Sequence, residues 1–147
     1  MTSARLAMTA ADLQEYLHEV FPESRALWPP IHIEHLAPFE AQLRMEFNDR
    51  VLRPGGTIAG PAMFKLADYG LYVAVLGMIG KRPQAVTTSL HIDFLRRPLK
   101  RDLLAEVKLL KLGKRLAVGE VSLFSKGSAD MVAHVSGTYS LPPPNGG

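Results

Sequence analysis

One long apolar segment limits the folds open to this chain more than any other feature. Residues 57–80 read TIAGPAMFKLADYGLYVAVLGMIG, which is long enough to span a membrane. However, Lys65 and Asp68 lie near its middle, where a charged side chain is costly in lipid. Residues 1–10 also lack the long apolar core of a signal peptide. We therefore interpret the segment as a buried helix of a cytoplasmic protein, and we expect no membrane partner.

The apolar residues of this helix go nearly all the way round it, so neighbouring structure must cover nearly all of it. A sheet curled around the helix would do so, whereas one flat sheet would leave one flank of the helix exposed to solvent. Small side chains recur at spacings of three and four and would let a backbone approach closely, at Ala67, Gly70, Ala74 and Gly77. The roughly opposite face carries Lys65, Asp68, Tyr69 and Tyr72. A second subunit is the simplest cover for what the sheet leaves open.

The rest of the chain predicts one more helix and six strands. Thr9 can cap a helix over residues 10–20, and alternating apolar residues predict strands on both sides of the long helix. The predicted strands are 31–36, 39–47, 84–95, 103–112, 116–124 and 131–141, with a loop over 48–56. In the third of these strands one face is expected to carry Val86, Thr88, Leu90, Ile92 and Phe94. Strands joined by hairpins give an α+β fold with an antiparallel six-stranded sheet, in a single domain over residues 1–147 whose tails, 1–8 and 142–147, are expected to be loose.

Composition and missing motifs exclude several classes of function. The chain has no cysteine, which excludes disulfides, cysteine-ligated metals and thiol catalysis. Its 17 basic and 14 acidic residues give a formal charge of +3, too small an excess to predict nucleic-acid binding. The sequence contains no phosphate-binding glycine motif, no HExxH and no G-x-S-x-G. His32 and His35 come nearest to a metal-binding pair, but surface roles are expected for them, and we expect no metal and no cofactor.

The start of the long helix and a carboxylate within it suggest a reaction. Gly60-Pro61 suits a helix N-terminus, where outward backbone N–H groups favour an oxyanion or a phosphate. Asp68 lies eight residues on, about 12 Å along the helix axis at 1.5 Å per residue. A carboxylate near apolar surface can take a proton from water or attack a carbonyl. The alternative interpretation of Asp68 is an ion pair with Lys65 on a solvated stripe.

Three segments together are similar to a known family. Residues 55–77, GGTIAGPAMFKLADYGLYVAVLG, are followed by TTSLHIDFLRRP at 87–98 and KLLKLGKRLAVGEVSLFS at 108–125. The combination resembles the hotdog-fold thioesterases of the phenylacetate-pathway type over roughly residues 39–139. The resemblance implies a hotdog fold, with a six-stranded sheet around a central helix, in a homodimer or a dimer of dimers. It also implies hydrolysis of acyl-CoA thioesters without a metal, at a site between subunits.

The resemblance also assigns candidate residues. The family's usual carboxylate matches Asp68 and its oxyanion amide matches Gly60. In the family a hydroxyl on the strand after the helix is supplied by the neighbouring subunit, and it matches Thr87 or Thr88 here. These two residues lie on opposite faces of a regular strand, so only one of them can line a given pocket, and Thr87 is preferred. A family Asn or Gln that helps to place the water or thioester falls near Arg53, or at Asn48 if the loop is rearranged.

Other residues are candidates for binding the substrate. One basic cluster could bind the phosphates of coenzyme A through Arg96 and Arg97, with Lys100 and Arg101 nearby. A solvated turn explains this cluster of basic residues equally well. A second basic cluster, Lys111, Lys114 and Arg115, has the same two interpretations. The acyl group could be bordered by Met63, Phe64, Tyr69 and Tyr72.

Two alternatives to a thioesterase stay open. The chain has Ala59-Gly60-Pro61 where the family often has His-Gly-Gly, which favours a non-catalytic protein that binds acyl-CoA or another small ligand on the same fold. A dehydratase on a related fold would need a histidine near the helix start, and His35 is the one upstream candidate.

Overall fold

The computed structural model describes residues 5–20, 29–49, 52–53 and 56–143. Within these residues the protein has two α-helices, α1 (Ala10–Val20) and α2 (Gly60–Ile79). The strands are β1 (Ile31–Ala37), β2 (Glu40–Met45), β3 (Leu52–Arg53), β4 (Thr57–Ile58), β5 (Val86–Phe94), β6 (Leu103–Leu112), β7 (Leu116–Ser125) and β8 (Met131–Ser140). The helix and strand predictions are therefore confirmed to within a few residues. The exceptions are β3, which lies inside the predicted loop, and β4, which lies at the start of the apolar segment 57–80. Strands of two residues are too short to show periodicity.

Six of the strands form one sheet in the order β1-β2-β6-β7-β8-β5, and every neighbouring pair is antiparallel. The short strands β3 and β4 pair with each other. The predicted α+β class and antiparallel six-stranded sheet are confirmed. Strands β1 and β5 are the two edges of this sheet, so β5, which follows α2 in the chain, has one side without a partner within the described residues.

Helix α2 lies against the inner face of the sheet, with its small residues where the strands approach most closely. A Cβ built on Gly70 would lie 2.9 Å from Cγ2 of Val107, and one on Gly77 would lie 3.1 Å from Cδ1 of Leu36. Ala67 and Ala74 are fully buried. The predicted face of small residues is confirmed. By length and composition α2 could cross a membrane, but 61% of its most apolar window is buried inside the protein.

A leucine on the helix packs over two glycines of the sheet. Gly119 on β7 and Gly137 on β8 lie directly opposite each other in the ladder. A Cβ on Gly119 would lie 2.7 Å from Leu71, and one on Gly137 would lie 2.8 Å from the same side chain. The absence of side chains on these two neighbouring strands thus makes the space that Leu71 fills.

The ends of the described chain are tied to the body of the protein. The Ala7 amide donates a hydrogen bond of 2.7 Å to the Gly77 carbonyl, and Leu6 and Met8 pack against the core. The Arg82 guanidinium donates to the Pro142 carbonyl. Of the tails predicted to be loose, 1–8 and 142–147, residues 6–8 and Pro142 thus make contacts with the rest of the protein, and residues 1–4 and 144–147 lie outside the described residues.

Candidate active site

Asp68 lies in a cavity of about 280 Å³ between α2, the start of β5 and the end of β8. The cavity wall is formed by Lys65, Asp68, Tyr69, Tyr72, Ala85, Val86, Thr87 and Tyr139. Two of the predicted catalytic residues, Asp68 and Thr87, are thus brought together with two of the predicted acyl-group contacts, Tyr69 and Tyr72. The other predicted catalytic and substrate-binding residues are not in this cavity.

Two hydroxyl groups hold the Asp68 carboxylate. Thr87 Oγ1 donates to Asp68 Oδ1 at 2.7 Å. The Tyr139 hydroxyl lies 2.8 Å from the same Oδ1 and 2.9 Å from the backbone oxygen of Asp68. A carboxylate that accepts two such bonds at a cavity wall favours the site interpretation over a solvated helix stripe. Thr87 makes this contact within one chain, whereas the resemblance implied a hydroxyl from the neighbouring subunit.

A β-bulge brings Thr87 to face the helix. Thr87 pairs with Tyr139, but Ser89 pairs with Thr138, so Thr88 is an extra residue in β5. Without it, alternation from the inward Leu90 would point position 88 rather than 87 at the helix. The predicted face that joined Val86 and Thr88 to Leu90 is therefore wrong: Val86 is 57% exposed, and Thr88 is exposed with its hydroxyl donated to the Thr138 carbonyl. Thr88 is accordingly no part of the Asp68 contact.

The tyrosines of the cavity are packed and stay protonated. Tyr139 is 4% exposed, and its ring stacks on that of Tyr72 with centroids 6.2 Å apart. The Tyr72 hydroxyl donates to the Pro83 carbonyl at 2.9 Å. Burial raises the pKa of Tyr139 and of Tyr72 above the ordinary value, and raises the pKa of Tyr69 to about 12. These hydroxyls are therefore hydrogen-bond donors throughout the neutral pH range.

Tyr139 is not among the candidate residues predicted from the sequence. The signal was nevertheless present, since the alternation of residues 131–141 put this tyrosine on the same face as buried Ala133, Val135 and Gly137. A phenol on a buried face needs a partner for its hydroxyl, and the nearest inward polar group on the helix is Asp68. What the sequence could not show was the register that places them side by side.

A second cavity, of about 360 Å³, lies at the start of α2. It is lined by Ile58, Gly60, Met63, Phe94, Leu95, Arg96, Arg97 and Pro98. The Phe94 ring lies so close that a Cβ on Gly60 would be 3.1 Å from it. Within one chain, therefore, Gly60 shares a cavity with Arg96 and Arg97, and Asp68 lies in the other one. The Arg96 Nε donates to the Met131 carbonyl at 3.1 Å, which fixes the direction of that side chain.

The remaining candidates lie elsewhere. Asn48 is partly buried after β2 and lines neither cavity, and the side chain of Arg53 lies outside the described residues. Within one chain His35 lines a separate groove with Glu40 and Gln42, and Asp68 is not part of that groove. His32 is hydrogen-bonded to Glu46. Within the described ranges no three His, Asp or Glu side chains are grouped to hold a metal ion.

The part of the chain that contains Asp68 and Thr87 is similar to a known protein family. The sequence profile described as Thioesterase superfamily matches residues 55–132, just over half of the chain. These residues include α2, β5 and the two hairpin strands β6 and β7.

Individual relatives extend the similarity. A protein of Silicibacter sp. TM1040, whose crystal structure is described as that of a "putative thioesterase", is 43% identical with a TM-score of 0.84, over 95% of this chain and 96% of that one. A variant of the phenylacetic acid degradation protein PaaI from Thermus thermophilus is 28% identical with a TM-score of 0.70, over 82% of this chain and 99% of that one. A "putative esterase" of Saccharolobus solfataricus is 30% identical over 109 residues, which are 74% of this chain and 71% of that protein. The predicted hotdog fold is confirmed.

Proposed function

The chain belongs to the thioesterase superfamily, and on that premise we propose that it is an acyl-CoA thioesterase in which Asp68 activates the attacking group. Its general activity as a thioester hydrolase follows from the family. The observation that carries the residue assignment is the Asp68 carboxylate at a cavity wall, held at Oδ1 by Thr87 and Tyr139. A hydrogen-bonded carboxylate beside a cavity can accept a proton from water, or attack a carbonyl itself.

In this proposal the thioester carbonyl rests on the Gly60 amide. Gly60 is the first residue of α2 and Pro61 has no N–H, while the Ala62 amide already donates to the Ala59 carbonyl. The Gly60 amide precedes the hydrogen-bonded turns of the helix and lies at the positive end of the helix dipole. Such an amide stabilises the negative oxygen that forms when the carbonyl is attacked, and loss of one such donor costs about 3 kcal/mol in other hydrolases. Water adds to the carbonyl carbon as Asp68 takes its proton, the carbon–sulfur bond breaks, and the departing thiolate receives a proton. If Asp68 attacks instead, the same thiolate leaves, and water then hydrolyses the acyl anhydride.

A second copy of the chain would complete this site. Gly60 and Asp68 of one chain line different cavities, about 12 Å apart along the helix, which is too far for both to act on one carbonyl. The edge strand β5 and the loop after it carry Val86, Phe94 and Leu95, each more than half exposed. Burial of these side chains against another β5 edge is favourable. We infer a homodimer in which one subunit contributes Asp68 and the other contributes Gly60.

The coenzyme A part of the substrate would lie in the second cavity. Arg96 and Arg97 are exposed beside Gly60, and guanidinium groups bind phosphate oxygens in pairs. We expect Arg97→Ala to raise KM for an acyl-CoA by about tenfold. The same variant should leave hydrolysis of the matching N-acetylcysteamine thioester unchanged, because that substrate has no phosphate.

The test of the proposed function is thiol release from a panel of aryl and aliphatic acyl-CoAs. We expect the parent protein to hydrolyse at least one member of the panel. Asp68→Asn, which keeps the shape of the side chain but removes its charge, should lower kcat by about 10²-fold or more while still binding the substrate. Lys108→Ala, on the opposite surface of the sheet, serves as the control for a surface change.

The result also separates the alternative function. A parent protein that binds acyl-CoA but releases no thiol from any member of the panel would instead support the non-catalytic binding protein, to which Ala59-Gly60-Pro61 points. Full activity in Asp68→Asn would refute the role of the carboxylate.

A further inference from the structure

We propose that Tyr139 is a positioning residue of the thioesterase site, which fixes the orientation of the Asp68 carboxylate through one hydroxyl that bridges two oxygens of that residue. This inference rests on the proposed role of Asp68 and adds a residue on β8 that the sequence does not single out. Tyr139 does not contact the reacting atoms in this proposal; it acts through Asp68.

The geometry is that of a bridge between side chain and main chain. The Tyr139 oxygen lies 2.8 Å from Asp68 Oδ1 and 2.9 Å from the Asp68 backbone oxygen. A donor shared by these two oxygens links the side chain to its own helix backbone, so rotation about the side-chain bonds would break one contact or both. Thr87 Oγ1 approaches Oδ1 at 2.7 Å from the neighbouring strand. Both contacts with the carboxylate use Oδ1, and neither uses Oδ2.

The two donors come from one rung of the sheet. Thr87 and Tyr139 are directly opposite partners in the β5–β8 ladder, and the bulge at Thr88 begins immediately after this pair. Directly opposite residues of an antiparallel ladder have Cα atoms about 4.5–5.5 Å apart, so the two side chains leave the sheet from neighbouring points. The sheet therefore presents both donors to the helix together, and both reach the same carboxylate oxygen.

Tyr139 is itself held rigidly. Its side chain is 4% exposed, and its ring stacks on Tyr72 at an interplanar angle of 26°. Tyr72 is in turn anchored by its hydroxyl to the Pro83 carbonyl. A donor held in this way costs little further entropy when it binds the carboxylate, which is the condition for an effective positioning group.

The chemistry of the pair suits an ionised carboxylate. Burial raises the pKa of the Tyr139 phenol, so the group stays protonated and donates. Hydrogen bonds from two hydroxyl donors stabilise the charged form of a carboxylate, and removal of one donor removes part of that stabilisation. A purely structural tyrosine would not change the proton equilibrium of the site.

The experiment compares Tyr139→Phe with the parent protein in steady-state thiol release over a range of pH. The substitution removes one oxygen atom and keeps the ring that stacks on Tyr72. We expect kcat to fall by about 10- to 100-fold with KM changed by less than about twofold, and the acidic limb of the kcat profile to move to higher pH.

Two further variants complete the experiment, one as a control and one as a second test. Thr9→Ala removes the hydroxyl that caps α1 through the Asp12 amide, and it should lower thermal stability without changing kcat or the pH profile. Replacement of Tyr139 by 3-fluorotyrosine keeps the fold and the hydrogen bonds but makes the phenol a stronger donor, so the acidic limb should move to lower pH. This second variant carries the test if Tyr139→Phe does not fold.

The outcomes separate this inference from the proposed function. A parent that hydrolyses thioesters, an inactive Asp68→Asn and a Tyr139→Phe with parental kcat and pH profile would overturn the role of Tyr139 and leave the proposed function intact. A rise in KM alone would also overturn it, since it would mean that the tyrosine packs against substrate. A parent without activity on any thioester would overturn both proposals.

Discussion

The fit between Leu71 and the glycine pair of β7 and β8 provides a quantitative test of the fold. Gly137 lies in ordinary strand backbone, because the positive φ angles of the described glycines are at Gly56, Gly80 and Gly127. Alanine at position 137 therefore meets no backbone strain. Its Cβ would instead lie 2.5 Å from Leu90 and 2.8 Å from Leu71, so the cost of Gly137→Ala comes from crowding.

The magnitudes follow from packing. Overpacking of a core costs about 1–3 kcal/mol, and the smaller conformational freedom of unfolded alanine returns about 0.5–1 kcal/mol. We expect Gly137→Ala to lower the free energy of unfolding by about 1–2 kcal/mol. Leu71 is 1% exposed and faces two residues without side chains that could fill a void, so Leu71→Ala should cost about 4 kcal/mol.

The double variant gives the decisive measurement. With Leu71 truncated, the methyl group at position 137 and a reoriented Leu90 can occupy the vacated space. The combined cost should then be smaller than the sum of the single costs by at least about 1 kcal/mol. Urea denaturation of the four proteins at one fixed protein concentration measures this difference. Additive costs would refute the claim that the missing side chain at Gly137 makes space that Leu71 fills.

Two further predictions concern pH. Burial raises the pKa of Asp102, but hydrogen bonds from the Phe47 amide at 2.8 Å and the Arg44 guanidinium at 2.9 Å more than offset this and hold it below its usual value. The contribution of the Asp102 carboxylate to stability is therefore present above about pH 4 and is lost as the pH falls further. In urea titrations Asp102→Asn should lower the free energy of unfolding by more at pH 7 than at pH 3. An equal loss at both pH values would contradict this. Burial raises the pKa of Tyr69 to about 12, while an unfolded tyrosine ionises near pH 10, so the free energy of unfolding should decrease as the pH rises between these two values. Tyr69→Phe should show a shallower decrease. Identical slopes in the two proteins would contradict the raised pKa of Tyr69.

The sequence holds two kinds of information about function. The spacing of Gly60 and Asp68 located an amide and a carboxylate on one helix, and the resemblance gave them roles. The structure then placed these residues in different cavities, which is why the proposed site needs two subunits. The separation of Gly60 and Asp68 by about 12 Å along the helix already follows from their spacing of eight residues. How the amide of one chain comes to face the carboxylate of another does not, because it depends on contacts between two chains.

The sequence by itself determined the central helix, its face of small residues and the alternation of the strands around it, because these follow from local periods of 3.6 and 2 residues. It also determined that Asp68 lies on the helix face away from the small residues. Only the tertiary structure decided that Thr87, and not Thr88, reaches Asp68, and that Tyr139 lies beside them. The physical reason is the bulge at Thr88, a single extra residue that shifts the register of β5 against β8. Such a shift arises from long-range pairing between strands far apart in the chain, and it leaves no period for the sequence to show.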